Sequence, residues 1–209
     1  MAAPAATSAF FYGTLMHPKI LRRVIGNDGA HLQICPAVLL EYTRHQIQHA
    51  DYPGIVPYTK SRALFNRELD AEERSVRGTL VTGLTASDIA LLDVFEGNEY
   101  TRDKVDVHPL SSPESLSSAE DDASVVPSTP PPLPDPAALA APVQADAYVW
   151  IRVNELQPSL WSYADFIRVN SWKWVGSGST GNSDYAEVDR RREMAGNITR
   201  GEAVVQGAV

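Results

Sequence analysis

Nine of the chain's fifteen prolines fall between residues 109 and 146, a stretch with no aromatic residue, no lysine and no arginine. Each proline removes a backbone donor and fixes one dihedral, so neither helix nor ladder can run through such a segment. Its apolar content is too thin to offset the entropy of ordering it. Residues 109–146 are therefore expected to be a disordered insertion, and the folded part comes in two pieces, 7–108 and 147–175. Both margins read as strands. Val105 and Val107 alternate with charged residues on one side, and Ala147–Val153 is a β-branched and aromatic run on the other. A long loop joining two strands of one sheet adds only a slowly growing closure cost. The reading is one domain over 7–175 with an inserted loop, and deletion of 111–143 is expected to leave its stability nearly unchanged. Gly176–Ser183 reads as a flexible linker, and 184–194 as a charged helix within a C-terminal piece at 176–209.

Composition excludes several classes. A net charge of -8 gives no help to binding nucleic acid or an anionic membrane surface. No run approaches the roughly 20 apolar residues of a spanning helix, and the first residues lack the basic and apolar regions of a secretory signal. The expectation is a soluble, cytoplasmic monomer. The single cysteine, Cys35, can form no intramolecular disulfide and sits among apolar residues, as a small buried hydrophobe would. Pro130–Pro134 can sample polyproline II and serve as a weak ligand for a proline-reading module.

Periodicity and punctuation place the elements. Strands are expected at Ala9–Tyr12, at Ile34–Tyr42 with a break near Cys35-Pro36, at Arg44–His49, at Val76–Leu84 and at Tyr100–Val107. Pro53-Gly54 reads as a turn. Helices are expected at His17–Ile25, with Pro18 in the first turn and Gly26 at the end, and at Ser87–Phe95, capped by Thr85 or Ser87 and ended by Gly97. A further amphipathic helix is read at Tyr163–Trp174. Short strands outnumber helices, which gives an α+β fold: a small curled sheet or barrel with peripheral helices.

Three segments can carry chemistry. In Phe10-Phe11-Tyr12-Gly13-Thr14-Leu15-Met16, a buried strand runs into a glycine that lets backbone approach a ligand, and the following amides can bind an oxygen. In Leu92-Asp93-Val94-Phe95-Glu96-Gly97, Glu96 closes a helix whose C-terminal dipole and apolar neighbours disfavour its ionised form. A carboxyl tuned upward in that way can both take and return a proton. Asp93 and Glu99 compete for the same role. In Asp51-Tyr52-Pro53-Gly54-Ile55-Val56-Pro57, two prolines suggest a rigid wall rather than a ladder-forming strand. His45, His49 and Asp51 would share one strand face and imitate a metal site, but Ile47 lies among them. No G-x-S-x-G, P-loop or G-x-G-x-x-G pattern occurs. No metal and no cofactor is expected.

Taken in order, Phe11–Leu15, Asp51–Val56, Gly78-Thr79-Leu80 and Leu92–Arg102 resemble the γ-glutamylcyclotransferase/AIG2-like family, with Trp172–Gly176 adding to the match. The resemblance implies a small mixed β-barrel with flanking helices. It also implies that Tyr12, Gly13, Thr14 and Leu15 hold a substrate, that Tyr52, Pro53 and Tyr100 line the pocket, and that Glu96 is catalytic. The implied reaction is intramolecular aminolysis of a γ-glutamyl amide to 5-oxoproline and an amine. A non-catalytic binding module of the same fold, with the proline-rich loop recruiting partners, is the alternative, and a scaffold serving that loop is a third. A pocket joining Gly13, Tyr52 and Glu96 favours the enzyme.

Overall fold

The structure, a computed structural model, describes residues 6–50, 52–117, 131–162, 165 and 190. The expected helices at 163–174 and 184–194, the linker at 176–183 and the Trp172–Gly176 segment lie outside the described residues, apart from Asp165 and Arg190.

Among the described residues nine strands form one sheet: β1 Thr7–Phe11, β2 Gln33–Leu40, β3 Tyr42–Ile47, β4 Pro53–Pro57, β5 Ser75–Leu84, β6 Tyr100–Pro109, β7 Glu114–Ser115, β8 Val143–Trp150 and β9 Leu156–Leu160. The order is β1-β5-β2-β6-β8-β4-β3-β9, with β7 on β2. β1 also pairs with β8, so β1, β5, β2, β6 and β8 close into a five-stranded mixed barrel. The expected α+β barrel is what forms.

Alternation along the strands builds two cores. One set of side chains, including Phe10, Cys35, Ala37, Leu39, Leu80, Val105 and Ala147, packs together on one face. The residues between them, including Ala9, Phe11, Ile34 and Val81, turn the other way. They pack against α1 (Pro18–Ile25) and α3 (Ala86–Glu96) through Ile20, Leu21, Val24, Leu92 and Phe95; the single turn α2 (Tyr58–Ser61) falls between these two helices in the chain. This is the period-two rule of a strand meeting the 3.6 period of two helices. Cys35 is buried, and burial pushes its thiol up.

α3 is fixed at its start. The Thr85 hydroxyl accepts from the Asp88 amide while Asp88 accepts from the Thr85 amide, a reciprocal capping box. Asp88 also accepts from Asn27 at 2.9 Å and meets His31 at 3.0 Å, tying the loop after α1 to the helix.

Three local expectations change. β2 runs unbroken through Pro36, because that edge of β2 passes from β6 to β7 there and the missing N–H has no ladder partner to lose. Pro53–Pro57 is a strand, not a turn or a wall. It pairs with β3 throughout and with β8 at Ile55↔Val149, and its prolines sit at the two ends, where a ladder tolerates them. The third change concerns the segment read as disordered, of which 118–130 lie outside the described residues. Its flanks hold regular structure. β8 begins at Val143, Glu114-Ser115 pairs with β2, and Leu116 is fully buried. The Arg77 guanidinium donates to the Pro131 carbonyl at 3.0 Å, and the Leu133 amide donates to Glu72 at 2.8 Å.

Leu116 packs against Gly29 and Leu32 from inside the segment read as dispensable. Leu116→Ala is expected to cost about 2–5 kcal/mol, measured by urea unfolding. Deletion of 111–143 removes the same anchor and is expected to lower the thermal midpoint rather than leave it unchanged.

Candidate active site

β8 has one partner, β6, on one edge and two in succession on the other. β1 pairs in parallel at Asp146 and Ala147, and β4 pairs in parallel at Val149. At Tyr148 the two neighbours part. β1 ends at Phe11 and the chain turns through Gly13 into a 3-10 turn at Thr14–Met16, while β4 enters at Pro53. A narrow cleft opens in this seam, enclosing about 20 Å³. It is lined by Phe10–Leu15, Tyr52, Pro53, Glu96, Tyr100 and Tyr148.

All eight residues singled out from the sequence, Tyr12, Gly13, Thr14, Leu15, Tyr52, Pro53, Glu96 and Tyr100, border this one cleft. Gly13 meets Pro53 across the seam. A Cβ on Gly13 would sit 3.0 Å from the Pro53 ring, so any larger residue would have to push that ring back by a few tenths of an ångström. The Met16 amide is taken by the Gly13 carbonyl at 3.0 Å, whereas the amides that open a helical turn have no partner within it. Glu96 is the last residue of α3 and is half-buried.

The tyrosines are fixed by their hydroxyl protons. Tyr12 donates to the Tyr148 carbonyl, Tyr100 to the Pro53 carbonyl at 2.9 Å, Tyr52 to Glu99 at 3.1 Å and Tyr148 to Asp93 at 2.8 Å. Burial first, and the Glu96 charge second, push the phenols of Tyr12 and Tyr148 well above the ordinary tyrosine range. Both stay neutral at any ordinary pH.

The two competing carboxylates are engaged elsewhere. Glu99, 2% exposed, accepts from Tyr52 and pairs with Arg152 at 3.2 Å. Asp93 pairs with Arg102 at 3.0 Å. Neither borders the cleft; both brace tyrosines that do.

Two contributors escaped the sequence reading. Tyr148 reads there as one more apolar strand residue. Arg44 donates to the carbonyls of Tyr12 at 2.7 Å and Arg77 at 3.0 Å, holding the chain where it enters the Gly13 turn. No local pattern marks it.

The histidine arrangement resolves differently. β3 ends at Ile47, so His49 leaves the shared strand face and takes a left-handed conformation, φ 61°; Asp51 lies outside the described residues. His45 is fully buried between the Gln157 carbonyl and the Thr43 hydroxyl, each at 2.8 Å. Among the described residues no group of three His, Cys, Asp or Glu side chains is placed to hold a metal, and no described helix is long and apolar enough to cross a membrane.

A five-stranded mixed barrel with extra strands and flanking helices is the cyclotransferase-like fold. The chain belongs to the gamma-glutamyl cyclotransferase, AIG2-like family, whose profile matches residues 9–168. It is 23% identical to the Arabidopsis thaliana protein AIG2 C over 172 residues, 82% of this chain and 75% of that one. It is 30% identical to AIG2-like protein D of the same plant over 100 residues, 48% of this chain and 55% of that one. Among solved structures, an Arabidopsis thaliana protein determined in solution matches with TM-score 0.49 and 23% identity, covering 84% of this chain and 81% of that one. A yeast γ-glutamyl cyclotransferase specific to glutathione matches with TM-score 0.44 and 12% identity, covering 95% and 92%.

Burial is the main reason His45 binds its proton less readily than ordinary histidine. The unfolded chain therefore takes up that proton first as pH falls. Stability should decline from about pH 6.5 down to the lowered folded-state value and then level off, and His45→Gln should flatten this part of the profile. Thermal midpoints of the two proteins between pH 5 and 8 check this.

Proposed function

We propose that the protein is a γ-glutamyl cyclotransferase that converts a γ-glutamyl amide to 5-oxoproline and a free amine, with Glu96 carrying the protons. The observation that supports this most is the single cleft joining Gly13, Tyr52 and Glu96. A binding module or scaffold does not require that juxtaposition.

The chemistry suits these parts. The α-amine of a γ-glutamyl amide attacks its own side-chain carbonyl carbon. A C–N bond forms to close a five-membered ring, and the amide C–N bond breaks. Over the reaction the α-ammonium loses two protons and the leaving nitrogen gains two, so one carboxylate can ferry both in turn. Because attack is intramolecular, holding the substrate folded supplies much of the rate. The amides of Gly13, Thr14 and Leu15 are the proposed donors to the carbonyl oxygen as it gains charge. Tyr52, Pro53 and Tyr100 line the cleft and are the proposed contacts that hold the chain of the substrate bent. No step calls for a metal, a cofactor or a covalent nucleophile. The substrate is a small molecule met in the cytoplasm, and the acidic surface gives nucleic acid no foothold.

The roots of the insertion, Pro109 and Val143, lie at the opposite end of the β6–β8 ladder from Tyr100 and Trp150. The strand from Tyr100 to Pro109 is ten residues long, about 30 Å. A proline-reading partner engaging Pro130–Pro134 therefore leaves catalysis untouched on this reading.

Glu96→Gln should reduce 5-oxoproline release from a panel of γ-glutamyl amides by about 10²- to 10⁴-fold, with the circular dichroism spectrum and thermal midpoint kept. Release that persists in the variant would assign the proton transfers to another group. No release by the wild-type protein from any amide of the panel would favour the binding module.

A further inference from the structure

The chain returning from the insertion is held against the domain by its backbone. The Arg77 guanidinium donates to the Pro131 carbonyl at 3.0 Å, and the Leu133 amide donates to a Glu72 carboxylate oxygen at 2.8 Å. Glu72 and Arg77 are themselves an ion pair at 3.1 Å. Both stand on fixed backbone. The Glu72 carbonyl accepts from the Ser75 amide, and Arg77 lies in β5 opposite Val38 of β2. Pro131, Pro132 and Pro134 are exposed, whereas Leu133 is half-buried. The two tethers therefore grip the run from the domain side and leave its proline rings in solvent.

The backbone around the tethers has little freedom left. Pro131, Pro132 and Pro134 each fix φ at about -65°. Pro131, Leu133 and Asp135 each precede a proline, which keeps them extended. Asp135 has φ -51° and ψ 131°, and its side chain then caps a 3-10 turn at Pro136–Ala138 by accepting from the Ala137 amide at 2.8 Å. Residues 131–135 contain no turn and no helix. This is polyproline II geometry, a left-handed helix of about three residues per turn. Pro131 and Pro134 therefore share one ridge, the P-x-x-P spacing that aromatic-lined grooves read.

We propose that Glu72 and Arg77 hold residues 131–134 as a preformed ligand for a proline-reading module, an aromatic-grooved domain with basic residues around its groove. A free proline-rich chain must be ordered when it binds; here the ordering precedes the encounter, so less is lost on association. The aromatic groove follows from the exposed prolines on one ridge. The basic rim follows from charge. Asp135 abuts the run, and residues 109–146 contain no lysine or arginine. Arg77, which touches the run, is only 12% exposed and is paired with Glu72. A groove rimmed by acids would meet like charge at Asp135. The proposal does not depend on the cyclotransferase reading, because no residue lining the cleft takes part in it.

The whole chain, labelled with nitrogen-15, is titrated with two probes. One is an isolated WW domain with lysines and arginines around its groove; the other is an isolated SH3 domain with acidic residues around its groove. The WW domain should shift the amide resonances of Leu133 and Asp135 saturably, and the double variant Pro131→Ala, Pro134→Ala should abolish the shifts. Glu72→Ala frees the run and should weaken binding by about 5- to 10-fold. Glu72→Gln keeps an oxygen acceptor for the Leu133 amide and should restore most of the affinity. Circular dichroism and thermal midpoints establish that each variant is folded. The proline variant changes only exposed side chains, so it keeps the question answerable if Glu72→Ala fails to fold. Equal or tighter binding by Glu72→Ala would mean that the ion pair does not present the run, and would overturn the proposal. So would the absence of a saturable shift with the WW domain, shifts that survive in the proline variant, or tighter binding to the SH3 domain.

Discussion

The site exists because β8 changes partners. A strand in a closed barrel normally keeps one neighbour along each edge; β8 exchanges β1 for β4 at Tyr148. The exchange leaves a gap in the wall one residue long, and everything functional in the proposed reading lines it. β1 must end there, so the chain turns, and Gly13 permits the turn to pass within contact of Pro53. β4 must begin there, and proline is suited to the first position of a strand. Tyr12, whose hydroxyl donates to the Tyr148 carbonyl, closes the inner side of the gap. Gly78 serves the same end from behind. A Cβ there would press 2.2 Å from the Phe11 carbonyl, so only glycine lets β5 carry β1 this close to its exit.

The charges follow from this placement. α3 ends at the gap with Glu96, and two further carboxylates flank it in sequence, Asp93 and Glu99. Each of these has an arginine partner and accepts a tyrosine proton. The flanking acids therefore act as braces, and the division of labour among three carboxylates within seven residues is set by which of them opens onto the cleft.

Much of this was legible in the chain itself, for identifiable reasons. Gly13 and Gly97 mark where a strand and a helix stop, and a functional group at an element's end is conspicuous in sequence. The strand at Pro53–Pro57 was hidden because proline argues against a ladder, and only the register shows that both prolines stand at its ends. The insertion was read too broadly because composition averages over a window. Leu116 is a single apolar residue in a polar stretch, and its burial depends on Gly29 and Leu32, far away in sequence. Tyr148 looks like its apolar neighbours until β1 and β4 are seen to part beside it. Arg44 acts through two backbone carbonyls, Tyr12 and Arg77, which no side-chain pattern could announce.

The claim that this seam is the ligand site is tested most directly by titrating the nitrogen-15-labelled protein with 5-oxoproline and following backbone amide resonances. The account predicts the largest shifts at Gly13, Thr14, Leu15 and Tyr148, saturating together. Shifts confined to the separate cleft between residues 64–67 and Pro158–Leu160, or no saturable shift at Gly13–Leu15, would contradict it.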